Sequence, residues 1–164
     1  MEEERERSPE VSHNGPKIYV DADACPVKRE ILRIADRAGV VTVLVANGGL
    51  RPSSDPMVRH VIVAHGADVA DDWIVEQATA RDIVVTSDIP LADRALAKGA
   101  FVLGPTGKPF TPDSIGMALA MRDLKQDLRE SGEIKDYNAG FTQKDRLNFT
   151  NALAQAVQNA LKEG

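Results

Sequence analysis

Ile18-Tyr19-Val20-Asp21-Ala22-Asp23 and Ile83-Val84-Val85-Thr86-Ser87-Asp88 are two short apolar runs that each end in carboxylates. A run that is apolar at every position is suited to a strand covered on both faces, and such strands build parallel sheets. Each run is followed by a helical pattern. After the first, Pro26 suits the opening turn of a helix, Ile31, Leu32, Ile34, Ala35 and Ala38 form its stripe, and Gly39 closes it. After the second, Pro90 opens a helix that Gly99 ends.

Working outward, Val40 to Ala46 reads as a second strand and Val58 to Ala64 as a third, with a two-proline loop from Arg51 to Pro56 between them. Asp68 opens a helix through Ala80, and Ala100 to Leu103 is a last short strand. Thr111-Pro112 starts a helix to about Glu130. Thr142 and Asp145 form a capping box for a final helix, on which Phe149, Leu153, Val157 and Leu161 share a face. Alternating strands and helices of this kind predict an α/β fold: a three-layer α/β/α sandwich with a mostly parallel central sheet. Residues 1–15 are charged and aperiodic and read as a disordered tail, so the expected organisation is that tail followed by one domain over 16–164 with C-terminal helices.

The carboxylates decide the functional reading. In parallel sheets ligands bind beyond the carboxyl ends of the strands, where Asp21, Asp23 and Asp88 stand. Asp68, Asp71 and Asp72 crowd the first turn of the intervening helix, three acids in five residues, more than capping requires. Asp68 and Asp71 share a helix face, whereas Asp72 is free to face water. Asp93 lies in the first turn of the helix behind Asp88. Each acid also has a structural reading, as an N-cap or turn residue, and Asp68 has the strongest one. Taken together, converging like charges are unfavourable unless protons or a cation neutralise them. The cation expected is Mg2+ or Mn2+, which prefer oxygen ligands. Metals held so can activate water and steady the leaving oxygen of a phosphoryl displacement. Asn47 at the end of strand two is a candidate contact to phosphate or metal-bound water, Lys28 in the first helix to phosphate, and Thr86 and Ser87 to a carboxylate or a phosphate, although both are also ordinary turn residues. Arg51, Arg59, Lys108, Arg122 and Arg146 are further candidates for phosphate. His60 and His65 face opposite ways and His13 is in the tail, so no zinc pattern exists.

The chain has 164 residues and a net charge of −5. Residues 1–15 contribute −3, and apart from Asp21, Asp23, Asp68, Asp71, Asp72, Asp88 and Asp93 the remainder carries +5. A basic shell around an acidic focus suits a phosphodiester substrate such as RNA. Aromatic residues make up 4% of the chain, which argues against base-stacking platforms. The single cysteine, Cys25, excludes an internal disulfide and reads as a packing residue. No apolar run approaches a membrane span, and the acidic N-terminus lacks a signal-peptide centre, so a cytoplasmic protein is expected. The sequence is silent on oligomeric state.

Asp21-Ala22-Asp23-Ala24-Cys25-Pro26-Val27-Lys28, Val45-Ala46-Asn47, Gly66-Ala67-Asp68-Val69-Ala70-Asp71-Asp72-Trp73-Ile74 and Val85-Thr86-Ser87-Asp88-Ile89-Pro90-Leu91-Ala92 resemble the YaiI/YqxD family of bacterial proteins. The likeness extends through Arg122 and Lys144-Asp145-Arg146 and covers roughly residues 17–155. That family in turn resembles PIN-like and NYN nucleases, which place acids after strand one, in a central helix and after the fourth strand. The resemblance implies a PIN-like fold. It matches Asp21 to the first acid, Asp68 or Asp71 to the second, Asp88 to the Thr-x-Asp acid, and makes Asp93 a candidate fourth. Two departures stand out: Asp23 sits where PIN domains commonly carry a small polar residue, and the helix acid is Asp rather than the longer Glu.

The leading expectation is a metal-dependent phosphodiesterase of ribonuclease type, with Asp21, Asp23, Asp71 and Asp88 as catalytic candidates and Asp21, Asp23, Asp68, Asp71, Asp88 and Asp93 as metal-ligand candidates. Two alternatives accompany it. Asp21-x-Asp23 also resembles the acid pair of haloacid-dehalogenase-like phosphatases, although Cys25 replaces the expected Thr or Val. A non-catalytic RNA-binding or regulatory module that keeps the PIN-like shape is the other.

Overall fold

The structure is a computed structural model and describes residues 15–163 except 24, 49–53, 67 and 132–139. The tail reading and the Arg51 candidate therefore lie outside the described residues, save Gly15. Six strands form one sheet: β1 (Lys17–Asp21), β2 (Val41–Ala46), β3 (Val58–Ile62), β4 (Ile83–Val85), β5 (Phe101–Leu103) and β6 (Pro109–Phe110). Five helices cover it: α1 (Lys28–Ala38), α2 (Val69–Gln77), α3 (Ile89–Ala97), α4 (Pro112–Ser131) and α5 (Gln143–Glu163). The strand order is β3-β2-β1-β4-β5-β6. All neighbours are parallel except β5 and β6.

The apolar runs split by parity, as strand geometry requires. Ile18, Val20, Leu44, Ala46, Ile83, Val85 and Leu103 face one way, onto Ile31 and Ala35 of α1 and Phe149, Leu153 and Val157 of α5. Tyr19, Val41, Val43, Val45, Val84 and Val102 face the other way, onto Ile74 of α2, Leu91, Ala92 and Ala95 of α3, and Ile115 of α4. Helices on both faces make the three-layer α/β/α sandwich. No helix among the described residues is long and apolar enough to cross a membrane.

Several boundaries differ from the sequence expectation for local reasons. Pro26 precedes α1 by two residues instead of opening it; Val27 occupies the cap position and Gly39 ends the helix with φ +71°. Helix α2 stops at Gln77 and not at Ala80. There Asp82 accepts from Thr79 N at 2.9 Å, Thr79 Oγ1 at 3.0 Å and Lys17 N at 3.0 Å, and this tight turn replaces the last helical turn. Strand β3 ends at Ile62. The two-residue β6 has no signature of its own, because Pro109-Phe110 is too short for a periodicity and pairs only because the preceding turn folds it back onto β5.

Helix α5 is fastened to α1 by Arg146. Its Nη1 donates to Glu30 Oε2 at 3.0 Å and to the carbonyl of Pro26 at 3.0 Å, and its guanidinium lies 4.9 Å from the centre of the Phe141 ring. Burial pushes the Glu30 carboxyl up, but its own backbone N–H, Arg146 and Arg33 outweigh burial and hold it below the ordinary range. Arg146, a candidate phosphate contact in the sequence, is thus spent on joining two elements.

Candidate functional site

From β1 the strand order runs outward to β2 and β3 on one side, then to β4, β5 and β6 on the other. The reversal falls between β1 and β4, the position where open α/β sheets bind ligands. Asp21 is the last residue of β1. Thr86 is the first residue after β4. The buried Thr86 hydroxyl donates to Asp21 Oδ2 at 3.0 Å and accepts from Asp88 N at 2.9 Å. One side chain thereby fixes two acids that are 67 residues apart in the chain. Two positions beyond Tyr19, Asp21 continues the parity that faces α2.

The electrostatics show the same convergence. Asp21 is raised above the ordinary carboxyl range by burial first, then by Asp88 and Asp23, with the Thr86 hydrogen bond opposing. Asp71, on the first turn of α2, is pushed up to about 6, by burial first and then by Asp88, Asp21 and Asp68, with Arg94 opposing. Asp88, Asp21 and Asp68 therefore all act on Asp71, and Asp88 acts on Asp21 as well. The Cys25 thiol is also raised, chiefly by burial, which leaves it a packing side chain and not a thiolate nucleophile.

The remaining candidates divide. A cleft at the strand ends is lined by Asp21, Asp23, Cys25, Pro26, Val85, Thr86, Ser87 and Pro105. Asp23 lies past the end of β1, exposed, and accepts from Asn47 N at 3.1 Å. The Asn47 side-chain amide donates to the carbonyl of Ala64 at 3.0 Å, so this residue ties the ends of β2 and β3 together. Lys28 opens α1 and acts on Cys25 at the cleft. Ser87 is an exposed rim residue. Asp93 is exposed on α3 and is not among the charges that raise Asp21 or Asp71. Asp72 pairs with Arg94 of α3 at 2.8 Å instead of standing in water alone.

Of Asp68 and Asp88, both readable as helix caps, only one makes the side-chain cap bond. Asp68 occupies the N-cap position of α2 without a side-chain cap hydrogen bond. Asp88 is the working cap: its Oδ1 accepts from Leu91 N at 2.9 Å. Thr86 is the site residue that sequence reasoning undervalued. Its signal was a hydroxyl between a strand end and an acid two residues on, a pattern shared with ordinary turns.

Among the described residues no three His, Cys, Asp or Glu side chains form a ready-made metal cage. Mg2+ asks for less: it keeps several waters and takes one or two carboxylates, with substrate phosphates completing the shell. Asp21 and Asp88, held to one threonine and both acting on Asp71, fit that smaller demand.

A family model described as "Uncharacterized BCR, YaiI/YqxD family" matches residues 19–159. A UPF0178 protein of Mesorhizobium japonicum is 65% identical over 147 residues, 90% of this chain and 95% of the relative. UPF0178 proteins of Agrobacterium fabrum and Rhodospirillum rubrum are 62% and 50% identical, each over 90% of this chain and over 96% and 99% of their own length. No solved structure matches the chain.

Proposed function

The chain belongs to the YaiI/YqxD family, and we propose that within it the protein is a divalent-metal-dependent phosphodiesterase acting on RNA, PIN-like in the layout of its acids. The observation that carries this reading is the meeting of Asp21, Asp71 and Asp88 at the β1/β4 switch point, where burial first, and then the charges of Asp88, Asp21 and Asp68, push Asp71 up to about 6. A fold gains nothing in stability from such a cluster. It suits a site that takes up a cation.

Asp21 and Asp88 would hold Mg2+ or Mn2+, with Asp71 facing them from α2 and Asp68 adding charge. Bound metal would supply Lewis-acid polarisation of a phosphoryl oxygen and a more acidic water. Thr86 fixes the Asp21 carboxylate through its hydroxyl, which leaves Oδ1 free to act. Asp88 Oδ1 accepts from Leu91 N at the α3 cap, and its other oxygen would serve the cation. Ser87 lines the cleft and Lys28 acts on Cys25 beside it; both can donate to non-bridging phosphate oxygens.

Thermal melting with and without MnCl2, paired with cleavage of a labelled RNA 12-mer, tests the reading. Ligand at a hundredfold its Kd adds about 2.7 kcal/mol, or roughly 5–10 °C for a chain of this size. The parent protein is expected to show such a rise and to cleave; Asp21→Asn is expected to lose both. An equal rise in the two proteins would remove Asp21 from the metal site and overturn the reading.

A further inference from the structure

The turn Gly104–Lys108 between β5 and β6 borders two cavities. Its Pro105 lines the acidic cleft. The next three residues, Thr106, Gly107 and Lys108, line a groove of about 540 Å3 whose far wall is Asp145, Asn148, Asn151 and Ala152 of α5. One to three peptide steps of about 3.8 Å therefore separate the two linings.

The groove has a definite chemistry. The side chains of Thr106, Lys108, Asn148 and Asn151 have no hydrogen-bond or ion-pair partner among the described residues. Asp145, the one acid, accepts at Oδ2 from Thr142 N at 3.0 Å and so closes the α5 capping box. What remains is one cation, two amides and one hydroxyl, with no aromatic ring. Amides and hydroxyls both donate and accept, and this matches a ribose 2′-OH, which does the same and distinguishes RNA from DNA. A single Lys suits one phosphate contact. The absence of rings among the lining residues excludes base stacking there.

The groove is also rigidly built. Gly107 has φ +94°, and a Cβ on it would lie 2.7 Å from the carbonyl carbon of Asn148. The turn and the helix thus meet backbone to backbone, which holds the two walls at a fixed spacing.

We infer that this groove binds the ribose–phosphate of single-stranded RNA next to the scissile bond and gives the site its preference for RNA over DNA. The inference rests on the phosphodiesterase reading above, and its test separates the two. Binding of a fluorescent uridine 12-mer and of the matching deoxyuridine 12-mer is measured by anisotropy, without metal, in the full-length Asp21→Asn protein. The ribo 12-mer is expected to bind at least fivefold tighter. Adding Asn148→Ala and Asn151→Ala removes that preference by weakening only the ribo 12-mer. Adding Lys108→Ala weakens both oligomers alike and lowers the slope of log K against log salt by about 0.7. All three side chains are exposed, so melting temperatures near the parent value show that the fold is kept.

No binding of either oligomer, no ribose preference, or an equal loss for both oligomers in the asparagine variant overturns the groove assignment. If the Mn2+ response and Asp21-dependent cleavage then persist, the acidic-site reading stands alone. If Asp21→Asn keeps its Mn2+ response while the groove shows its ribose preference, the acidic-site reading fails instead.

Discussion

Asp71 would have to be ionised to hold the proposed cation, yet it sits where ionisation is costly: half-buried and under the charges of Asp88, Asp21 and Asp68. Its carboxyl is raised from 3.8 to about 6, so between those values the native state binds more protons than the unfolded chain. Stability then falls as pH rises through that window, and the cost is complete above pH 6. After allowance for solvent screening the penalty is about 1 kcal/mol. Asp71→Asn is therefore expected to raise the metal-free melting temperature at pH 7 by a few degrees and to flatten its dependence between pH 4 and 6. The same variant is expected to lose most of the Mn2+ response. A lower melting temperature at pH 7 would mean that Asp71 holds the fold together and is not a repelled site residue. The acids themselves were legible in sequence because each stands at a strand end or at the start of a helix. Which acid does the capping was not: the bond from Leu91 N to Asp88 and the lack of one to Asp68 depend on side-chain rotation, which both sequences permit equally.

At the scale of elements, the β5–β6 turn shows how a short connection shapes a site. Gly104-Pro105-Thr106-Gly107 reads as a turn from composition alone. Its second role comes from contact with α5, more than 30 residues downstream. Gly107→Ala would combine a left-handed backbone with an overlap against the Asn148 carbonyl. The two costs together come to about 2–4 kcal/mol, expected as a fall of roughly 5–10 °C in melting temperature. A neutral substitution would show that turn and helix can separate freely. The helices were placed from sequence to within a few residues, and the Thr142–Asp145 capping box formed as its spacing predicts. β6 was missed because its pairing is imposed by the turn and not by its own residues.

At the scale of the molecule, the last helix returns to the first. The Arg146–Glu30 bond spans 116 residues and lies beside Pro26 at the cleft. Arg146→Ala would leave Glu30 buried with no cation bonded to it, at a cost of about 3 kcal/mol. Glu30 is held below the ordinary carboxyl range, so its contribution is present above the unfolded-state pKa and is lost as pH falls through the native one. Chemical denaturation is expected to show the variant weaker at pH 7, with the gap narrowing below about pH 4 as Glu30 protonates in both. A pH-independent gap would assign the loss to packing of the arginine stem and ring contact.

The sequence by itself determined the alternation of strands and helices, the two faces of the sheet and the arrival of acids at strand ends, because parity, helical spacing and turn residues act over a few neighbours. Tertiary structure alone decided that Asp21 and Asp88 act on Asp71, that Asn47 and Arg146 are spent on holding elements together, and that a polar groove opens beside the acidic cleft. Burial, charge repulsion and hydrogen-bond partnership depend on which distant segments meet, and no local pattern carries that information.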